Sequence, residues 1–127
     1  MTPETVGYLG KAREFLAKAQ DMLADDWPDE AARAAYLAGF HAAQALILVR
    51  TGKVTKSHSG LRSTFARLTK DEPRIDRRFT RFLARAYAFK EIADYGVGPQ
   101  AVVTAAEAQE MLDTAAQLID RLAQILA

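Results

Sequence analysis

Cysteine is absent from this 127-residue chain, which excludes a disulfide framework, a thiolate nucleophile and a cysteine zinc site. Histidine is scarce: there are two, in no HExxH or similar spacing, so neither a dedicated metal site nor a cofactor is expected. No segment alternates as a strand would, no repeat is evident, and no low-complexity linker divides the chain. The opening residues lack the basic start and apolar run of a signal peptide. The longest nearly uncharged stretch, Ala34 to Val49, is 16 residues long and short for a membrane span. The expectation is a soluble, cytoplasmic protein with one domain over residues 1–127, long enough to bury a core without disulfides or metal.

What remains is helical periodicity. Val6, Leu9, Ala12, Phe15, Leu16, Ala19 and Leu23 recur at steps of three and four and predict a first helix from about Glu4 to Ala24. Asp25-Asp26-Trp27-Pro28 breaks it, with Asp26 placed to cap the next helix, predicted over Ala31 to Thr51 and closed by Gly52. A short third helix is predicted over Ser59 to Lys70. A fourth opens at Pro73 and ends near Gly96, with Ile75, Phe79, Phe82, Leu83, Ala86 and Phe89 inward. Gly96-Val97-Gly98-Pro99 is a clear break. The last helix starts at Thr104, whose spacing to Glu107 is that of a capping box, and runs to the C-terminus. The fold class is therefore all-α: an up-and-down four-helix bundle with an additional short helix.

The formal charge of +1 conceals an asymmetry. Residues 1–30 carry seven acids against three bases, residues 101–127 four acids against one, and the segment between them a net +8. Arg74, Arg78, Arg81 and Arg85 share one predicted stripe of the fourth helix. Such a stripe suits the phosphates of a nucleic acid, or acidic patches on the first and last helices, on a second subunit or on another protein. The alanine-rich second helix and the basic fourth helix offer more packing and charge surface than one small bundle needs, so a homodimer is expected.

Polar groups interrupt the apolar faces in three clusters: Arg33-Ala-Ala-Tyr36 running to Phe40-His41, then Lys56-Ser57-His58-Ser59-Gly60, then Lys90 followed by Ala93-Asp94-Tyr95-Gly96. His41 follows Phe40 by about 100° of helix, at the edge of the apolar face, where it acts either as a core-boundary group or as an acid-base. His58 opens the third helix, as a cap, a loop anchor or part of a site. Two histidines near arginine suit general acid-base cleavage of a phosphodiester, provided they meet. The catalytic candidates are His41, His58, Lys90 and Tyr95. The proposed ligand-binding set is Arg33, Tyr36, His41, His58, Lys90, Asp94 and Tyr95, the same residues that would otherwise form a structural hydrogen-bond network.

In that order and spacing, these motifs resemble the HEPN superfamily (higher eukaryotes and prokaryotes nucleotide-binding), closest to its small stand-alone bacterial and archaeal members. The resemblance implies an up-and-down helical bundle, often dimeric and frequently encoded beside a minimal nucleotidyltransferase. Many members are metal-independent endoribonucleases of toxin-antitoxin and defence systems; others only bind nucleotides or RNA. Catalytic members carry an arginine, four to six residues, then a histidine, commonly with a tyrosine between them that the partner modifies with AMP. Here Lys90 stands for the arginine, Tyr95 matches the tyrosine and Gly98 stands for the histidine. Lysine lacks the planar fork that grips phosphate at two points, and glycine transfers no proton. The expected role is thus a nucleotide- or RNA-binding or interaction component, paired with a nucleotidyltransferase in a toxin-antitoxin-like system. The alternative is a metal-independent endoribonuclease toxin.

Overall fold

The computed structural model describes all residues, Met1 to Ala127. The chain folds as α1 (Pro3–Ala24), α2 (Pro28–Thr51), α3 (His58–Thr69), α4 (Arg78–Tyr95) and α5 (Ala105–Leu126), four long helices and one short one with no strand. The central helix is α2, which packs against all four others. Its composition explains the position: Ala31, Ala32, Ala34, Ala35, Ala38, Ala42 and Ala43 are fully or almost fully buried, and such short side chains let several helices approach one axis. Gly39 takes this furthest, since a Cβ there would lie 2.5 Å from Cε2 of Phe82 on α4. By length and hydropathy α2 would pass for a membrane span, yet 67% of its apolar window is buried inside the bundle.

Helix ends follow local chemistry. Thr104 and Glu107 form the reciprocal capping box at the start of α5, and Gly52 closes α2 in the left-handed conformation at φ 80°. Ser57 caps α3 by accepting from the Gly60 amide at 2.9 Å. The buried Gln44 amide group donates to the Thr55 carbonyl and accepts from the Thr55 amide, which fastens the loop leading into His58 to α2.

Four sequence expectations are corrected. First, α2 begins at Pro28 rather than Ala31; Asp26 does not cap it but takes a left-handed φ of 67° in the turn. Second, α3 begins one residue early, at His58. Third, α4 begins at Arg78, not Pro73. The segment between is a run of tight turns in which side chains compete for the backbone: Glu72 accepts from the Arg74 amide and Asp76 from the Arg78 amide. Ile75 is nonetheless buried, which is why its spacing to Phe79 imitates a helical stripe. Fourth, Val6 is 53% exposed, and Thr5 takes the inward position at the start of α1, its hydroxyl bonded to that of Thr2.

Candidate functional site

Where α2, α3 and α4 meet, a polar-aromatic cluster surrounds the ring of Tyr87. Tyr36 projects from α2 with its side chain fully buried, and its hydroxyl lies 2.7 Å from His58 Nδ1 at the first turn of α3. Tyr87 packs edge-on against Tyr36 at 5.4 Å between ring centroids and stands 5.3 Å from the His58 ring. One turn after His58, the Arg62 guanidinium lies over Tyr87 at 4.2 Å from its centroid, and the Lys90 ammonium approaches the same ring at 5.8 Å. Arg62 Nη1 is buried and has no hydrogen-bond partner. An unpaired donor in such a place costs stability.

The protonation states follow from burial and charge. Burial pushes the Tyr36 phenol up to about 12, against the charge and the hydrogen bonding of the nearby Arg62 guanidinium, so the hydroxyl keeps its proton. Burial lowers the His58 pKa, and the charges of Lys90 and Arg62 lower it further, so the imidazole is neutral at pH 7. The phenol then donates to Nδ1 and the imidazole proton resides on Nε2, an assignment made from the hydrogen-bond network. Glu91, as hydrogen-bond acceptor, raises the Tyr87 phenol, with burial adding to the shift.

A charged arm extends this cluster to the end of α4. Asp94 accepts from Arg33 Nε at 2.8 Å and pairs with Lys90 Nζ at 3.0 Å. Burial would raise its pKa, but the hydrogen bonds from Lys90 and Arg33 outweigh burial and hold the carboxyl below its usual value. The hydrogen bond to Asp94 raises Lys90 in turn, although desolvation opposes it. Tyr95 is 72% exposed on the last turn of α4, its ring 5.8 Å from the Lys90 ammonium.

The seven residues singled out from sequence therefore separate. Six lie along one connected face, with Tyr36 and His58 at one end and Arg33, Lys90, Asp94 and Tyr95 at the other. His41 does not join them. It stacks on Phe15 of α1 at 5.4 Å and nearly parallel, and Phe40 touches both imidazoles, 5.3 Å from His41 and 5.1 Å from His58. Burial and the Lys11 charge lower its pKa. Arg62, Tyr87 and Glu91 were not anticipated. Their signal was helical spacing, since Arg62 follows His58 by four residues and Tyr87 precedes Lys90 by three. The arginine stripe is also altered. Arg74 sits in the turn before α4 and pairs with Glu72, Arg78 bonds Gln117 and Arg85 pairs with Glu110, so Arg81 is the one member with no side-chain partner. No three His, Asp or Glu side chains converge as a metal would require.

The lowered histidines fix the sign of a pH effect. Both have a usual value of 6.5 and a lower one in the fold, so below that pH the unfolded chain binds protons the folded chain refuses. Their contribution is intact above 6.5 and is lost as pH falls through the folded values. Urea denaturation at about pH 5.5 is expected to show lower stability than at about pH 7, above the range where the carboxylates titrate. The double variant H41Q/H58Q should flatten this slope; an unchanged slope would assign it to other groups.

Comparison with known proteins gives three findings. The sequence profile of the HEPN domain matches residues 6–126. No curated protein matches the sequence. Among solved structures, TT1696 from Thermus thermophilus superposes with a TM-score of 0.81 at 25% identity, covering 97% of this chain and 98% of that one.

Proposed function

Because this chain belongs to the HEPN domain family, we propose that it is a nucleotide- or RNA-binding component that holds its ligand without cutting it, paired with a minimal nucleotidyltransferase in a toxin-antitoxin-like system. The observation that carries the binding role is the environment of Tyr87. One aromatic ring is flanked by the Arg62 guanidinium, the Lys90 ammonium and the His58 imidazole, and Arg62 keeps a buried donor without a partner. A phosphate is drawn to the Arg62 and Lys90 charges, and a base or sugar covers what the guanidinium leaves open of the half-buried Tyr87 ring.

Two features favour binding over cleavage. Gly98 occupies the position that resemblance to catalytic members reserves for histidine, in the loop beyond α4 at φ 91°. His41 stacks on Phe15 of α1 whereas His58 is bonded to Tyr36, so the two imidazoles are engaged by different partners, against a two-histidine acid-base scheme. The exposure of Tyr95 supports the pairing, because a tyrosine that accepts AMP from a partner must offer its hydroxyl to solvent.

Isothermal titration of the protein with AMP and with a short single-stranded RNA tests the reading. Arg62→Ala removes one charged donor, a loss of about 1.5–3 kcal/mol, or about 10- to 100-fold in Kd. Equal affinity in wild type and variant, with both folded, would remove the site.

A further inference from the structure

We propose that the face between α3 and α4 is a track for a single-stranded polynucleotide, with Lys70, Arg77 and Arg81 holding backbone phosphates at one end and the Tyr87 cluster receiving a base at the other. At its Tyr87 end this rests on the function proposed above; at its cationic end it stands on separate observations. The two helices run antiparallel: Arg62 near the start of α3 meets Tyr87 late in α4, whereas the end of α3 meets the start of α4. There Ala66, Thr69, Lys70, Arg77, Thr80 and Arg81 line a groove of about 270 Å³.

The cations of that groove are free because the nearby acids are taken. Glu72 pairs with Arg50 and Arg74, Asp76 accepts from the Arg78 amide with the Arg78 guanidinium 4.0 Å away, and Glu110 pairs with Arg85. Lys70, Arg77 and Arg81 are left facing only Asp71 as an unpaired acid at the rim, a local excess of positive charge. This distribution replaces the four-arginine stripe, three members of which are engaged within the chain.

Length bears on the ligand. Lys70 follows Arg62 by eight residues, about 12 Å along α3, and Arg81 precedes Tyr87 by six, about 9 Å along α4. A strand of two or three nucleotides spans that distance with one phosphate over the groove and a base against the Tyr87 ring. The half-buried ring of Tyr87 and the exposed ring of Tyr95 suit unstacked bases, which a duplex does not present. The shared chemistry is the phosphodiester backbone, carried by both RNA and single-stranded DNA.

The experiment is fluorescence anisotropy with an RNA octamer, the DNA octamer of the same sequence and the corresponding duplex, beside calorimetry with AMP. The octamers are expected to bind more tightly than AMP. The triple reversal K70E/R77E/R81E should weaken octamer binding by about tenfold or more, reduce the slope of log K against log salt by about 2, and leave AMP affinity unchanged. Should that variant fail to fold, the neutral triple K70Q/R77Q/R81Q should show the same direction. Equal binding of RNA and DNA supports recognition of phosphate alone, and preference for RNA supports an added contact to the 2′-hydroxyl. An octamer that binds no better than AMP, ignores both triple variants, or binds no better than the duplex overturns the track. AMP binding that Arg62→Ala abolishes would then still uphold the Tyr87 site. Octamer binding that needs the three cations but not Arg62 would uphold the track and remove that site.

Discussion

Gly39→Val is expected to destabilise the protein by about 3 kcal/mol, a large fraction of the roughly 5–15 kcal/mol that holds a domain together. The reason is the crossing of α2 and α4. Phe82 and Leu83 lie against the Gly39 backbone, both almost fully buried, and even a single added carbon would stand 2.5 Å from Phe82 Cε2 and 3.3 Å from Leu83 Cδ2. The Phe82 ring is almost fully buried, so the helices must separate or the ring must leave its rotamer toward the surface groove that it lines with Arg85 and Met111. Gly39→Ala should be much milder, because alanine gains about 1 kcal/mol of helix propensity over glycine and offsets part of the clash. Urea denaturation with both variants checks this. The same crossing sets Tyr36 against Tyr87 and Arg33 against Asp94, so a valine variant as stable as wild type would contradict the α2–α4 approach on which the site depends.

The second large effect is on chemistry. Purified protein is expected to leave single-stranded RNA intact without a divalent metal. Loss of one positioned acid-base group typically lowers a rate by about 10²- to 10⁴-fold, and Gly98 supplies none where the family's nucleases place a histidine. Lys90 adds to the deficit, because its ammonium is a point charge already paired with Asp94 at 3.0 Å and offers no bidentate grip on phosphate. The remaining route is His58, which is neutral, but the Tyr36 hydroxyl bonded to it holds its proton at a pKa of about 12, and His41 stacks on Phe15 of α1. The assay compares wild type with His58→Ala and His41→Ala, all shown to be folded by circular dichroism. Cleavage present in wild type and lost in either variant would establish a relocated histidine site.

The helices were legible because apolar residues recur at helical spacing and because the ends carry residues with one job each: Thr104 with Glu107, and Gly52 at positive φ. The start of α4 was not legible. Ile75 and Phe79 are four residues apart and both buried, as on a helix, yet Glu72 and Asp76 turn their carboxylates onto the backbone amides and hold tight turns instead. Asp26 looked like a cap from its place before Pro28, but it occupies the left-handed turn residue, a conformation that aspartate tolerates. In the site, Arg33, Tyr36, His58, Lys90, Asp94 and Tyr95 stood out as polar residues in otherwise apolar surroundings. His41 stood out for the same reason, but its angle on α2 turns it to Phe15 of α1. Arg62 and Tyr87 escaped notice because each belongs to a segment that reads as an ordinary amphipathic helix, and pairing them needs the packing of α3 on α4. The charge pattern misled similarly: a stripe of arginines is visible in sequence, whereas the side chains that engage three of its members, Glu72, Gln117 and Glu110, come from outside α4.

The most direct measurement of the account is an equilibrium titration of labelled single-stranded RNA in the presence of a chelator, with the RNA then recovered on a denaturing gel. Wild type is predicted to bind, Arg62→Ala to bind about 10- to 100-fold more weakly, and the RNA to be recovered at full length from both. RNA cut by wild type and spared by His58→Ala, or bound equally well by wild type and Arg62→Ala, would contradict a site that holds nucleotides without cleaving them.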